Sequence, residues 1–253
     1  MTVKRAYIRL FTTVFLIIVT MILYILKVSK LRLGVSFFGF ILCAVIALIF
    51  SYKTIKDVEA KIDDKNIKKT EKYDWITFVA LSVMFIFVLF MFFILPSSVS
   101  QTSMTPTLND KERILIYHFQ YKPHKNDIVI IKMSEDDYPR AGGILNSNTY
   151  FVKRIVALPG DEITFKLLDK NTFYVYINNE IYKNSYGESY EITDYQKAAL
   201  ELDLIDSKVP NKMYLVFGDN EMGSQDSRTF GPIKEKDIVG KVIYKIWPLG
   251  RID

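Results

Sequence analysis

Along this chain the spacing of apolar positions changes character at Pro96. Before it, Leu10–Leu26, Leu33–Tyr52 and Trp75–Pro96 run without a single charge. Each approaches the roughly 20 residues a helix needs to cross a bilayer, so the pattern predicts three transmembrane helices. After Pro96 the apolar runs shorten, fill with β-branched and aromatic residues, and are separated by turn residues. Arg113–Tyr117, Asp127–Lys132, Tyr150–Ala157, Glu162–Leu167, Phe173–Ile177, Met213–Phe217 and Ile238–Ile246 read as strands. Leu158-Pro159-Gly160-Asp161 and Ile177-Asn178-Asn179-Glu180 read as turns, through Pro and Gly or through Asn tolerating positive φ. A short helix is expected over Asp194–Leu204. Ser134–Ser147, with Gly142-Gly143, and Tyr182–Tyr190 read as surface excursions. Nothing alternates strand with helix, which argues against a doubly wound sheet. The expected organisation is a membrane anchor over residues 1–96 and a mainly β domain over residues 97–253.

Charge sharpens this picture. Residues 1–95 hold 13 Lys and Arg against 6 Asp and Glu, whereas residues 96–253 hold 20 against 22. The basic balance therefore belongs to the membrane half, where cationic flanks mark cytoplasmic segments, and it is no signal for nucleic acid. The segment 53–74 carries seven basic residues and the N-terminus three, against three in the Lys27–Arg32 turn. That places the N-terminus and the loop 53–74 inside and delivers the β-rich domain to the extracytoplasmic side. The first run has a basic start, but Leu26-Lys27-Val28-Ser29-Lys30 offers no small-x-small cleavage site, so it reads as a retained span. The alternating signs of 53–74 suggest a solvated connector. Cys43, the single cysteine, falls inside an apolar run, so no intrachain disulfide supports the outer domain. The two histidines, His118 and His124, lie outside every motif, and Glu135-Asp136-Asp137 reads as a solvated loop, so no metal or other cofactor is expected.

The candidate chemistry is a serine answered by a lysine. Ser103 lies in Ser103-Met104-Thr105-Pro106-Thr107-Leu108, and Lys153 lies in Tyr150-Phe151-Val152-Lys153-Arg154-Ile155-Val156. A serine hydroxyl needs a base before it can attack a carbonyl. A lysine of ordinary pKa is neutral only about one time in a few thousand near pH 7, but burial penalises its charged form and lowers that pKa. Strand alternation puts Phe151, Lys153 and Ile155 on one apolar face and turns Arg154 the other way, toward water or an acid.

These segments resemble the signature boxes of bacterial type I signal peptidases. The resemblance extends to Lys125-Asn126-Asp127-Ile128-Val129-Ile130, to Gly218-Asp219-Asn220-Glu221-Met222-Gly223-Ser224-Gln225-Asp226-Ser227-Arg228, and to Val239-Gly240-Lys241-Val242 with Trp247-Pro248-Leu249-Gly250-Arg251-Ile252. It implies a membrane-anchored serine endopeptidase with a β-rich catalytic domain, whose partners are secretory preproteins and the lipid bilayer. Ser103 then matches the nucleophile and Lys153 the general base. Ser224 matches the hydroxyl that orients the lysine amine, and Asp226 with Arg228 a supporting ion pair. Met104, Leu108 and Val152 match the apolar wall that admits only small residues at the −1 and −3 positions of a signal peptide. Asp161 reads as structural. Two positions depart from the pattern: Gln101 stands where the resemblance implies a serine or glycine near the oxyanion, and Glu221 where it implies arginine. An inactive, membrane-tethered relative that binds without cutting remains the alternative. A self-cleaving repressor would require a DNA-binding segment where this chain has its apolar runs.

Overall fold

The computed structural model describes residues 3–26, 34–59, 64–134, 138–141 and 149–252. The Lys27–Arg32 turn, the Glu135–Asp137 cluster and Gly142-Gly143 fall outside them. The chain forms two compact units, Met1–Leu95 and Pro96–Asp253.

The first unit is three helices, α1 (Val3–Ile25), α2 (Gly34–Glu59) and α3 (Asp64–Phe92), each long and apolar enough to cross a membrane. They outrun the apolar runs at their charged ends: α2 continues to Glu59 and α3 begins at Asp64, so most of the expected connector 53–74 is helical. Lys and Glu are good helix formers, and charge by itself does not end a helix. At the far end α3 stops at Phe92, and Ile94–Ser98 is extended rather than part of the third span, as the proline at 96 requires. Small residues (Ala44, Ala47 and Ala80) let α2 and α3 pack closely around Met84 and Met91, while Phe11, Phe38 and Phe78 stay exposed. Apolar side chains on every face suit a hydrocarbon solvent. Thr12, Thr13, Thr54, Thr77 and Ser82 each donate to the carbonyl four residues earlier, so these hydroxyls are satisfied within their own helices.

The second unit is β-rich. A seven-stranded sheet runs in the order β1 (Ile94–Ser98), β2 (Arg113–Tyr117), β11 (Ile238–Trp247), β3 (Ile128–Met133), β4 (Thr149–Ala157), β9 (Met213–Phe217) and β10 (Ile233–Lys234). A smaller sheet joins β5 (Ile163–Asp169), β6 (Thr172–Ile177) and β7 (Glu180–Ile181), with β8 (Glu191–Thr193) also on β6. β4 lies between β3 and β9, antiparallel to both, with Lys153 opposite Val129 and Arg154 opposite Phe217. Gly240 lets β11 cross close to β2, because a Cβ there would meet the Tyr117 carbonyl oxygen at 2.4 Å. The helix α4 (Asp194–Glu201) starts in a capping box made by Thr193 and Gln196 and ends three residues short of Leu204.

Two clusters of buried residues draw on the site strands β4 and β9. One gathers Val129, Ile131, Ile155, Val216, Phe230 and Ile238; the other gathers Val156, Val175, Tyr190, Ile192, Leu215 and Phe217. The segment Tyr182–Tyr190, expected at the surface, instead anchors the second core at both ends. Tyr190 is 1% exposed and its ring stacks 4.8 Å from Phe217. Polar residues between two aromatics hide such anchoring from a one-dimensional reading. Asp161 is structural, as expected: its carboxylate accepts from the Leu158 amide and from Asn178.

Candidate active site

Lys153 sits mid-strand in β4, and alternation aims it where the sequence predicts. Its side chain is 1% exposed, with Phe151 and Ile155 on the same face. Its amine lies 2.7 Å from the Ser103 hydroxyl, hydrogen-bonded to it, and 5.6 Å from the Phe151 ring centroid. Among the described residues no carboxylate hydrogen-bonds the amine. Burial therefore dominates its ionisation and pulls its pKa from 10.5 to about 8; Asp226 and Asp219 raise it, and Arg228 lowers it further. A lysine so placed is partly neutral near neutral pH and can accept a proton.

Ser103 is held by the segment that follows β9. The Asn220 amide donates to the Ser103 carbonyl at 3.1 Å, and the Asn220 side chain donates to the Thr102 carbonyl at 3.1 Å. Gly218 makes this approach possible, since a Cβ there would fall 2.5 Å from the Ser103 carbonyl oxygen and 2.1 Å from the Ser224 hydroxyl. Between these two contacts stands Asp219, which receives Arg154 through Nε at 2.9 Å and Nη2 at 2.8 Å and also accepts from the Thr107 hydroxyl. One carboxylate thus ties the serine segment to the strand of the lysine. Arg154 donates a third bond to the Asn126 carbonyl, and its partnership with Asp219 raises its pKa. The strand pattern turns Arg154 toward water or an acid and does not single out Asp219. Its only signal was its place between Gly218 and Asn220.

Asp226 and Arg228 form a buried ion pair beside the site. They are 0% and 2% exposed and joined by two bonds, Nε to Oδ1 at 2.8 Å and Nη2 to Oδ2 at 2.7 Å. Asp226 also accepts the Gly218 amide and caps α5 (Ser227–Phe230) through the Arg228 amide. Arg228 reaches the Glu221 and Ser224 carbonyls and lies over the rings of Tyr190 and Phe217. Burial opposes its charge, but the bonds and charge of Asp226 prevail, and its pKa is raised.

The serine and lysine open on a cleft of about 480 Å³ also bordered by Gln101, Phe151, Met222 and Ser224. The Ser224 hydroxyl is buried and makes no hydrogen bond, to Lys153 or to any other group, among the described residues. Gln101 holds a left-handed backbone (φ 79°), with its amide bound to Asp110, and so stands at the cleft in a conformation unusual for a residue with a side chain. Met104 and Leu108 are 1% and 0% exposed and do not border this cleft; Val152 is half-buried. Glu221 accepts from the Asn184 side chain, and burial raises its pKa.

Residues 72–247 match the profile of the family described as signal peptidase, peptidase S26. Signal peptidase IB of Staphylococcus aureus (strain Mu50 / ATCC 700699) is 31% identical over 195 residues, which cover 71% of this chain and 92% of that protein. Signal peptidase I P of Bacillus subtilis subsp. natto is 32% identical over 198 residues, 75% of this chain and 97% of that one. A crystal structure of a signal peptidase I from Enterococcus faecalis V583 aligns at 26% identity, covering 48% of this chain and 97% of that one, with a TM-score of 0.28.

Proposed function

Because the chain belongs to the signal peptidase family, peptidase S26, and is thereby a serine endopeptidase, we propose that Ser103 is its nucleophile and Lys153 its general base in removing signal peptides from secreted preproteins. The observation that carries this reading is the 2.7 Å contact between the Ser103 hydroxyl and an amine that burial leaves partly neutral. The neutral Lys153 takes the hydroxyl proton as Ser103 Oγ attacks the carbonyl carbon of the scissile bond. The resulting ammonium gives that proton to the leaving amine, releasing the mature protein and leaving the signal peptide esterified to Ser103. Lys153, neutral again, deprotonates the water that hydrolyses the ester.

Three further groups support the chemistry. The Ser103 amide stabilises the oxyanion. Ser224 orients the amine: its hydroxyl is unpartnered among the described residues and borders the same cleft as Lys153. Asp226 and Arg228 hold the backbone around both. The peptide lies extended in the cleft, where bulky apolar walls restrict −1 and −3 to small residues. The protein is multi-pass, with the catalytic unit on the extracytoplasmic side, where cleavage sites emerge and anchoring raises effective concentration; three helices long and apolar enough to cross a membrane support this reading.

The test is cleavage of a secretory preprotein in liposomes by the intact chain, Ser103→Ala and Lys153→Ala, followed by N-terminal sequencing of the product. Cutting after small-x-small by the intact chain, slowed at least about a thousandfold in both variants, is expected. Undiminished cleavage by Lys153→Ala would remove the lysine from its role.

A further inference from the structure

A second cavity, of about 500 Å³, is bordered by Arg154, Lys183, Lys245 and Arg251, with Tyr182 and Thr107 beside them. Arg154 leaves β4 on the face opposite Lys153, so this is not the catalytic cleft seen from another side. Among the described residues four cations border the cavity and no carboxylate does. Two of the four are compensated: Arg154 by Asp219 at 2.8 Å and Lys245 by Glu112 at 3.3 Å. Lys183 and Arg251 are exposed and form no ion pair among the described residues, so two positive charges stand unneutralised at one opening.

Like charges gathered at one concavity repel, and a fold that holds them there is ready for an anion. Both uncompensated cations lie on or beside closed backbone rather than on loose tails. Lys183 pairs with Ser189 across a bridge. Arg251 follows Gly250, which exchanges two hydrogen bonds with Lys245, at 3.0 and 3.2 Å. Tyr182 adds a hydroxyl whose pKa burial raises, so it remains a donor, and it has no hydrogen-bond partner among the described residues.

We infer that this cavity binds a phosphate group, held by Lys183, Arg251, Lys245 and the Tyr182 hydroxyl. Two sources offer that chemistry: the headgroup of an anionic phospholipid and free inorganic phosphate. The turn closed by Lys245 and Gly250 favours the lipid, because it presents Trp247 and Leu249, 71% and 76% exposed, next to the cationic wall. An aromatic and an aliphatic side chain beside paired cations suit the boundary between headgroups and acyl chains.

The test uses the full chain in an uncharged maltoside detergent, titrated calorimetrically with dihexanoylphosphatidylglycerol, dihexanoylphosphatidylcholine and inorganic phosphate. Saturable binding of the glycerol lipid, of phosphate or of both is expected, weaker at higher salt and at least about tenfold weaker in the Lys183→Gln/Arg251→Gln variant. The lipid arm against the phosphate arm identifies the source. No saturable binding in either arm, binding unchanged in the variant, or equal binding of the zwitterionic lipid overturns the assignment. Both substituted side chains are exposed and outside the catalytic cleft, so the variant should keep its thermal transition and its preprotein cleavage. Those two readouts separate failure of this site from failure of the fold or of the catalytic assignment.

Discussion

Lys153 and Arg228 are both cations withdrawn from water, and their surroundings treat the charge in opposite ways. Around Lys153 the walls are Phe151 and the Ser103 hydroxyl, no carboxylate among the described residues bonds the amine, and its pKa falls to about 8. Around Arg228 a carboxylate makes a two-point bond, two backbone carbonyls complete the network and the pKa rises. Burial is common to both, so burial alone does not make a base. The proposed base is the cation whose burial is left uncompensated, and the compensated pair is what holds the surrounding backbone in place.

Removing the compensation gives the largest effect. Asp226→Asn leaves a buried guanidinium facing a neutral amide, with one of its two bonds to that side chain lost, and should cost about 3–5 kcal/mol of stability, seen as a markedly lower thermal transition in detergent. Because Asp226 raises the Lys153 pKa, any surviving activity should climb at lower pH than in the intact chain. Asp226→Asn with the intact chain's transition would erase the contrast drawn between the two cations.

Lys153→Met is the converse and is next in size. Below about pH 8 the folded and unfolded chains both carry this proton, and the fold bears the whole cost of burying it, about 3 kcal/mol for the drop from 10.5 to about 8. Between those values the unfolded chain binds more protons, so stability rises with pH. Lys153→Met should therefore raise the thermal transition by several degrees near pH 7, with the gain fading as pH approaches 10.5, and it should abolish cleavage. In the intact chain kcat/KM should climb with pH through about 8, the pKa of the free enzyme's base. A rate independent of pH from 6 to 9 would sink the lysine-base assignment.

The smallest change is Ser224→Ala. It removes a buried hydroxyl without a partner among the described residues, so the thermal transition should hold or rise slightly. Loss of an orienting contact should lower kcat about tenfold with little change in KM. An unchanged kcat would leave Ser224 no part in positioning the amine.

How much of this could be read beforehand differs from element to element. β2 and β9 begin and end where alternation and β-branched residues predict, and Lys153 faces apolar neighbours because a strand has a period of two. The two- and three-residue strands β7, β8 and β10 are too short to show any period, and only pairing reveals them. The helices extend beyond their apolar runs because hydropathy marks what dissolves in lipid, not where backbone hydrogen bonding ends. Asp226 and Arg228 are legible as a supporting pair through the resemblance alone, and their burial is not, because i,i+2 spacing carries no information about what covers it.

The sequence by itself determined the three apolar runs, most of the strands, the serine and lysine with the face each strand residue takes, and the kinship of the boxes around them. These follow from local periodicity and from residue identity, which a linear text contains. Only the tertiary structure decided that Asp219 ties the serine segment to Arg154, that Tyr190 and Phe217 floor the buried arginine, and that Lys183 and Arg251 meet at one cavity. Such contacts join residues far apart in the chain, and their energy depends on how much water the packed fold excludes from each pair, which no stretch of sequence states.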